Sequence, residues 1–244
     1  MKNSEGPSNP SRRGFMRLAG GLAGLSAIGL AGCAYTPRIV YYRPMVDSAF
    51  PQYREVPEMP EYGGYAQLYG AVYDGGFEVP AVDLTKVPPQ YLRQMVPFQT
   101  NEPVGTVIVD TANRHLYLVQ ENGMAIRYGV GIGREGFEWN GRARIQWKQK
   151  WPKWTPPDSM IARQPELAKY SAANGGKPPG LDNPLGARAL YIFQDGVDTL
   201  YRIHGTPEYW TIGKAASSGC VRMMHQDVID LHDRVPNGTP IIVL

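Results

Sequence analysis

Hydrophobic and polar positions follow two regimes along the chain, and the change comes near residue 104. Downstream, Thr106-Val107-Ile108-Val109-Asp110 is a β-branched run, and His115-Leu116-Tyr117-Leu118-Val119 alternates with period two. That is the spacing at which the side chains of a strand share a face. Asn122-Gly123 is a hairpin turn signal, and residues 124–130 supply the returning strand. Further strands are predicted at residues 142–147, 187–193, 199–204 and 239–244. A helical stripe is convincing only at residues 227–235, with Val228, Leu231 and Val235 on one side. Residues 148–186, rich in Pro, Trp, Gly and Asn, are too long for a simple connection and read as a lid insertion. The expected fold class is mostly β: a largely antiparallel domain over residues 101–244 with one flanking helix.

Upstream the periodicity disappears. Residues 34–100 hold nine prolines and nine tyrosines, and dipeptides such as Pro88-Pro89 and Gly63-Gly64 interrupt any pattern. Residues 33–100 are therefore read as an extension, either a spacer or an irregular wrap against the domain. Its many tyrosines favour packing over full disorder.

The first residues are an address rather than part of the fold. Arg12-Arg13 precede an apolar stretch at residues 18–31 that is rich in Gly and Ala, shorter than the ~20 residues a spanning helix needs. This is the pattern of a twin-arginine export signal. Leu30-Ala31-Gly32-Cys33 then resembles the lipobox of bacterial lipoproteins, in which the cysteine thiol takes a lipid. Residues 1–32 are assigned to the signal, Cys33 to lipidation, and the mature protein to the periplasm, anchored to the inner or the outer membrane.

Charge follows the same division. The net charge of +3 is carried by Lys2, Arg12, Arg13 and Arg17 against Glu5, so the remainder is balanced. A neutral mature chain without a basic run has no electrostatic footprint for nucleic acid. The two cysteines, Cys33 and Cys220, each sit in their own context rather than reading as a disulfide pair. One remaining Cys and four scattered His give no metal-ligand spacing, so neither metal nor cofactor is expected.

The densest candidate chemistry lies in Ile203-His204-Gly205-Thr206 and Ser217-Ser218-Gly219-Cys220-Val221-Arg222-Met223. A cysteine nucleophile needs a neighbour that lowers its pKa or takes its proton. His204 ends an apolar strand, and the following loop is long enough to return Cys220 beside it. Gly219 allows close backbone approach, neighbouring N–H groups can form an oxyanion hole, and Arg222 can hold a substrate carboxylate. The bland alternative is a buried cysteine, a satisfied strand-end histidine and a surface arginine. His115, His225 and His232 read as structural or exposed.

These two segments resemble the L,D-transpeptidase family, also called the YkuD domain, whose signature is a His-Gly, a spacer, and Ser-x-Gly-Cys followed by an aliphatic residue and Arg. The resemblance continues through Asn183-Pro184-Leu185-Gly186-Ala187-Arg188-Ala189-Leu190 and the hairpin at residues 107–133. It spans about 140 residues from Val104. Ser218 stands where many members carry His, and Trp139-Asn140-Gly141-Arg142 replaces a Thr-Pro-x-Gly turn. The resemblance implies a cysteine acyltransferase acting on peptidoglycan tetrapeptide stems through a thioester. In it Cys220 is the nucleophile, His204 the proton acceptor and donor, and Gly205 the backbone orienter. Arg222, Ser218 and Gly219 would bind substrate, and the acceptor would be a second stem or a wall-attached protein. A hydrolase sharing that acyl-enzyme and a non-catalytic wall-binding lipoprotein are the competing readings.

Overall fold

The computed structural model describes residues 64–133, 140–217 and 219–244, with Ala216 and Ser217 described by backbone alone. Arg12, Arg13, Cys33, the first part of the extension, Trp139 and Ser218 lie outside the described residues.

The architecture is mostly β. In chain order the elements are α1 (Tyr65–Leu68), β1 (Val72–Asp74), β2 (Phe77–Val79), β3 (Gln94–Pro97), β4 (Val107–Asp110), β5 (His115–Val119), β6 (Met124–Gly129), β7 (Ile132–Gly133) and β8 (Gly141–Lys150). There follow α2 (Asp158–Arg163), β9 (Arg188–Gln194), β10 (Val197–Gly205), β11 (Ala215–Ser217), β12 (Val221–Met223), α3 (His225–Arg234) and β13 (Thr239–Val243). Nine strands form one sheet in the order β12-β10-β9-β8-β13-β4-β5-β6-β3. Two of its pairings, β10 with β12 and β13 with β4, are parallel.

Period-two alternation sends Val107, Val109, Leu116, Leu118, Ile126 and Tyr128 to one face, where they join Ile145, Leu190, Ile192 and Ile203 in a continuous core. Helix α3 fills it with Val228 and Leu231, and Val235 just past the helix completes the stripe. Burying one such aliphatic side chain contributes about 1.5–3 kcal/mol. The sheet curls far enough that the chain leaving β6 meets its other edge. There Gly131 and Arg222 exchange two backbone hydrogen bonds of 2.8 Å each.

Residues 65–97 wrap against this body. Strand β3 pairs with β6 and extends the sheet. The Tyr69 hydroxyl donates to Asp227 Oδ2 (3.1 Å) and accepts the Arg93 N–H (2.6 Å). Arg93 Nη1 lies 2.6 Å from Asp230 Oδ1, and Asp230 also takes hydrogen bonds from Tyr128 and Arg234. Asp74, ending β1, holds Arg188 through both oxygens (2.7 and 2.8 Å) and accepts the Trp151 indole N–H (2.7 Å). Trp151 also packs on Phe77. It is a buried anchor at the base of the 148–186 insertion.

Candidate active site

The strand register arranges the polar face of the sheet, opposite the core, in two parallel rows. Gln149 pairs with Ala189, Ala189 with His204, and His204 with Arg222. One step along, Trp147 pairs with Tyr191 and Tyr191 with Arg202. Ile203 is level with Val221, so continuing the register by one residue sets Cys220 level with Arg202. Cys220, directly before β12, thus lies diagonally across from His204 on β10. Diagonal positions on one face of paired strands lie roughly 7–8 Å apart at Cβ, within reach of a ring side chain. The fifteen residues between them make the parallel return possible.

His204 is buried, and its Nδ1 lies 2.7 Å from the Gly205 carbonyl oxygen. A carbonyl only accepts, so Nδ1 carries the hydrogen and the neutral ring keeps its lone pair on Nε2. Burial lowers the His204 pKa to about 4, outweighing the Gly205 and Pro184 carbonyls that favour the charged form. Pro184 is delivered by a turn that Asn183 builds. The fully buried Asn183 amide donates to the carbonyls of Pro152 (3.1 Å) and Pro178 (2.9 Å), while its Oδ1 accepts the Leu185 N–H (2.9 Å). That explains locally why Asn-Pro-Leu-Gly stands where it does. Burial raises the Cys220 pKa, opposed by the main-chain N–H and the charge of Arg202. Thiol and imidazole are therefore both held toward their neutral forms.

Gly219 has φ +131°, a backbone conformation open to glycine, while a Cβ placed there would meet Tyr201 only at an ordinary 3.5 Å. The residue is required by the turn into Cys220 rather than by crowding. Gly205 does face crowding, because a Cβ there would lie 3.2 Å from His225 Cδ2. His225, the first residue of α3, is buried behind the orienting carbonyl, and burial lowers its pKa to about 4.

The Arg222 side chain is buried and donates from Nη1 to Glu208 Oε2 (3.1 Å), whereas its Nε and Nη2 are buried without a hydrogen-bond partner. Nε–H and an Nη2–H lie along one edge of the planar guanidinium, the geometry that grips a carboxylate through two parallel bonds. Glu208 is held in place because the Thr206 hydroxyl accepts its N–H (3.1 Å), and its carbonyl receives the Thr211 hydroxyl (2.6 Å). Of the residues singled out in the sequence, the structure sets His204, Gly205, Gly219, Cys220 and Arg222 on or directly before the paired strands β10 and β12. Sequence reasoning missed Glu208, Arg202 and the approach of His225, none of which has a local signal. A small apolar cavity of about 90 Å³ lies beside Thr206, lined in part by Val79, Leu181, Tyr209 and His225. A larger one of about 590 Å³ lies along α3, lined in part by Arg93, Asp230 and Arg234. Neither is lined by Cys220. Among the described residues no group of His, Cys, Asp and Glu is arranged to hold a metal ion.

The chain has counterparts among known proteins. The profile of the YkuD family, described as the L,D-transpeptidase catalytic domain, matches residues 105–243, and the chain belongs to that family. The probable L,D-transpeptidase ErfK/SrfK of Escherichia coli K12 is 32% identical over 141 residues, covering 57% of this chain and 43% of that protein. Its Salmonella typhimurium namesake is 31% identical over 191 residues, covering 74% and 58%. The chain thus spans about half the length of these curated relatives. Among solved structures, a probable carnitine operon oxidoreductase from Brucella melitensis is 44% identical, covering 66% of this chain and 99% of that one, with a TM-score of 0.45. An L,D-transpeptidase from Mycobacterium smegmatis is 17% identical, covering 57% and 58%, with a TM-score of 0.39. Family membership supports an enzymatic role.

Proposed function

We propose that the protein is a cysteine L,D-transpeptidase that cuts the peptide bond between diaminopimelate and D-Ala in peptidoglycan tetrapeptide stems. The observation that carries this reading is a buried His204, fixed through Nδ1 by the Gly205 carbonyl so that Nε2 is left as the base, on the strand paired with the one that Cys220 precedes. His204 Nε2 takes the thiol proton as sulfur attacks the carbonyl carbon. The tetrahedral oxyanion collapses, the carbon–nitrogen bond breaks, and the imidazolium returns the proton to the departing D-Ala amine. The thioester is then attacked by an amine of a second stem or of a wall-attached protein. His204 removes the amine proton and hands it to the leaving sulfur. The unpartnered edge of Arg222 receives a carboxylate of the donor stem. Residues 151–187, anchored at Trp151 and Asn183, act as a lid that limits water at the thioester.

The address fits that substrate. In this reading Arg12-Arg13 direct export and Cys33 carries the lipid, with the domain in the periplasm on a membrane. Replacing both arginines with lysine should trap precursor in the cytoplasm, and Cys33→Ser should abolish radiolabelled palmitate incorporation. Continued incorporation in that variant contradicts the lipidation.

The reaction is tested by mass spectrometry of products from the purified protein and defined disaccharide-tetrapeptides. Cross-linked dimers, or exchange of the terminal D-Ala for another D-amino acid, are expected. Tripeptide alone at every acceptor concentration would make the protein a hydrolase, and unchanged substrate would remove the enzymatic reading.

A further inference from the structure

The row that ends at the thiol contains an ordered device which the reaction above does not use. Trp147, Tyr191 and Arg202 lie in register across three strands. The rings of Trp147 and Tyr191 are 8° from parallel with centroids 3.6 Å apart, and the Arg202 guanidinium carbon lies 4.5 Å from the Tyr191 centroid. Asp198 grips the same guanidinium with both oxygens, taking Nη1 at 2.7 Å and Nη2 at 2.8 Å, while Nη1 also donates to the Tyr201 carbonyl (2.8 Å). An arginine stacked on an aromatic face and held by a bidentate carboxylate has little rotamer freedom left.

The backbone is shaped around that clamp. The pairing of β10 with β9 slips between Asp198 and Arg202, and Leu200 takes φ +64° within the bulge. Bulky residues rarely adopt that region, and strain of this sort persists only where the surroundings impose it. Here Asp198 Oδ1 accepts the Leu200 N–H (2.8 Å) and Thr199 Oγ1 accepts the Tyr201 N–H (3.2 Å). Bulges re-aim side chains beside active sites, and this one holds the Arg202 guanidinium between Tyr191 and Asp198.

We propose that Arg202 is a positioning residue for the nucleophile, presenting its main-chain N–H and a fixed positive charge to the Cys220 sulfur so that the thiolate formed by His204 is stabilised. The proposal rests on Cys220 being the nucleophile. Among the described residues, the charged and titratable groups flanking Cys220 on the paired strands are Arg202 and His204 from β10 and Arg222 from β12. Behind these stand Asp198 on Arg202, Glu208 on Arg222, and His225 from α3. Burial holds both histidines neutral near pH 7. Among the described residues, Arg202 and Arg222 are therefore the cations that these two strands set beside the thiol. Arg222 is level with His204, whereas Arg202 precedes Ile203, whose partner Val221 directly follows Cys220. Burial pushes the thiol up, and Arg202 is the group that works against it.

The test reads the thiol directly and needs no substrate. The purified full-length chain is alkylated with iodoacetamide across a pH series, and modification of the Cys220 peptide is followed by mass spectrometry, which keeps Cys33 separate. The midpoint of the pH–rate curve is compared among variants. Arg202→Gln should raise that midpoint by about one unit, a tenfold loss of thiolate at a given pH below it. Arg202→Lys should restore most of the difference. Asp198→Asn, which leaves the Arg202 charge uncompensated, should lower the midpoint. A buttress without an electrostatic role would shift both sites in the same direction or neither. An unchanged midpoint in Arg202→Gln, or an upward shift in Asp198→Asn, overturns the proposal. Should Arg202→Gln fail to fold by circular dichroism, the downward shift in Asp198→Asn and the near-native midpoint in Arg202→Lys decide it alone. Failure of the muropeptide assay would remove the proposed reaction without moving any of these midpoints, so the two outcomes are separable.

Discussion

Two clusters of arginines and acids serve opposite purposes in this molecule. At α3, Arg93, Asp227 and Asp230 tie residues 65–97 to the domain, and the Asp227 side chain is fully enclosed, at 0% exposure. At the candidate site, Arg222 pairs with a glutamate, Glu208, whose side chain is 54% exposed. An enclosed pair has paid desolvation on both sides, so losing one partner strands a charge in the interior. An exposed acid keeps most of its hydration and can exchange its partner for a ligand at little cost. The α3 cluster should therefore read out as stability, and the site as activity.

The largest effects should come from the row itself. Cys220→Ala is expected to abolish turnover, and His204→Ala to lower kcat/KM by roughly a thousandfold or more, because members of a coupled pair fail together. Both should melt near the wild-type temperature. Substantial turnover in either would break the functional half of the comparison. Arg93→Met should do the reverse, costing about 3–5 kcal/mol in urea unfolding while the folded enzyme keeps kcat within a factor of about two. A collapse of kcat at unchanged stability would mean that the α3 cluster serves the site directly.

The domain core was legible because its cause is local. The alternation at residues 115–119 and the Asn122-Gly123 turn describe β5 and β6 completely, since each needs only its neighbour in sequence. The Val228, Leu231 and Val235 stripe located α3 within two residues. Strand β12 was not legible, because three residues become a strand only by pairing in parallel with β10 across a long loop. For the same reason His204 and Cys220 could be named from their motif, but Arg202 could not, since its place beside the thiol depends on register. The wrap of residues 65–97 was half legible. Tyrosines signalled packing, but the partners that fasten Tyr69 and Arg93 lie more than a hundred residues downstream and have no period to betray them.

A smaller effect sharpens the site. Arg222→Lys keeps the charge and loses the two-pronged edge, so KM for the donor should rise about tenfold with a lesser change in kcat. An unchanged KM would assign Arg222 to holding Glu208 alone. The subtlest effect is on pH dependence. The folded-state pKa of His204 is lowered from 6.5 to about 4, so the imidazole stays neutral, and competent as a base, far below the usual histidine range. The acid limb of kcat/KM should accordingly fall near pH 4 to 5. A limb at 6.5 would mean that the base is more exposed than its burial implies.

The central claim is that Cys220 carries the acyl group. It is tested most directly by mixing the purified protein with a tetrapeptide donor in the absence of acceptor, quenching in acid and weighing the intact chain. The account predicts an added mass equal to the donor less D-Ala, mapped by peptide sequencing to Cys220 and absent from Cys220→Ala. Product formation with no such adduct, or an adduct on any other residue, would contradict it.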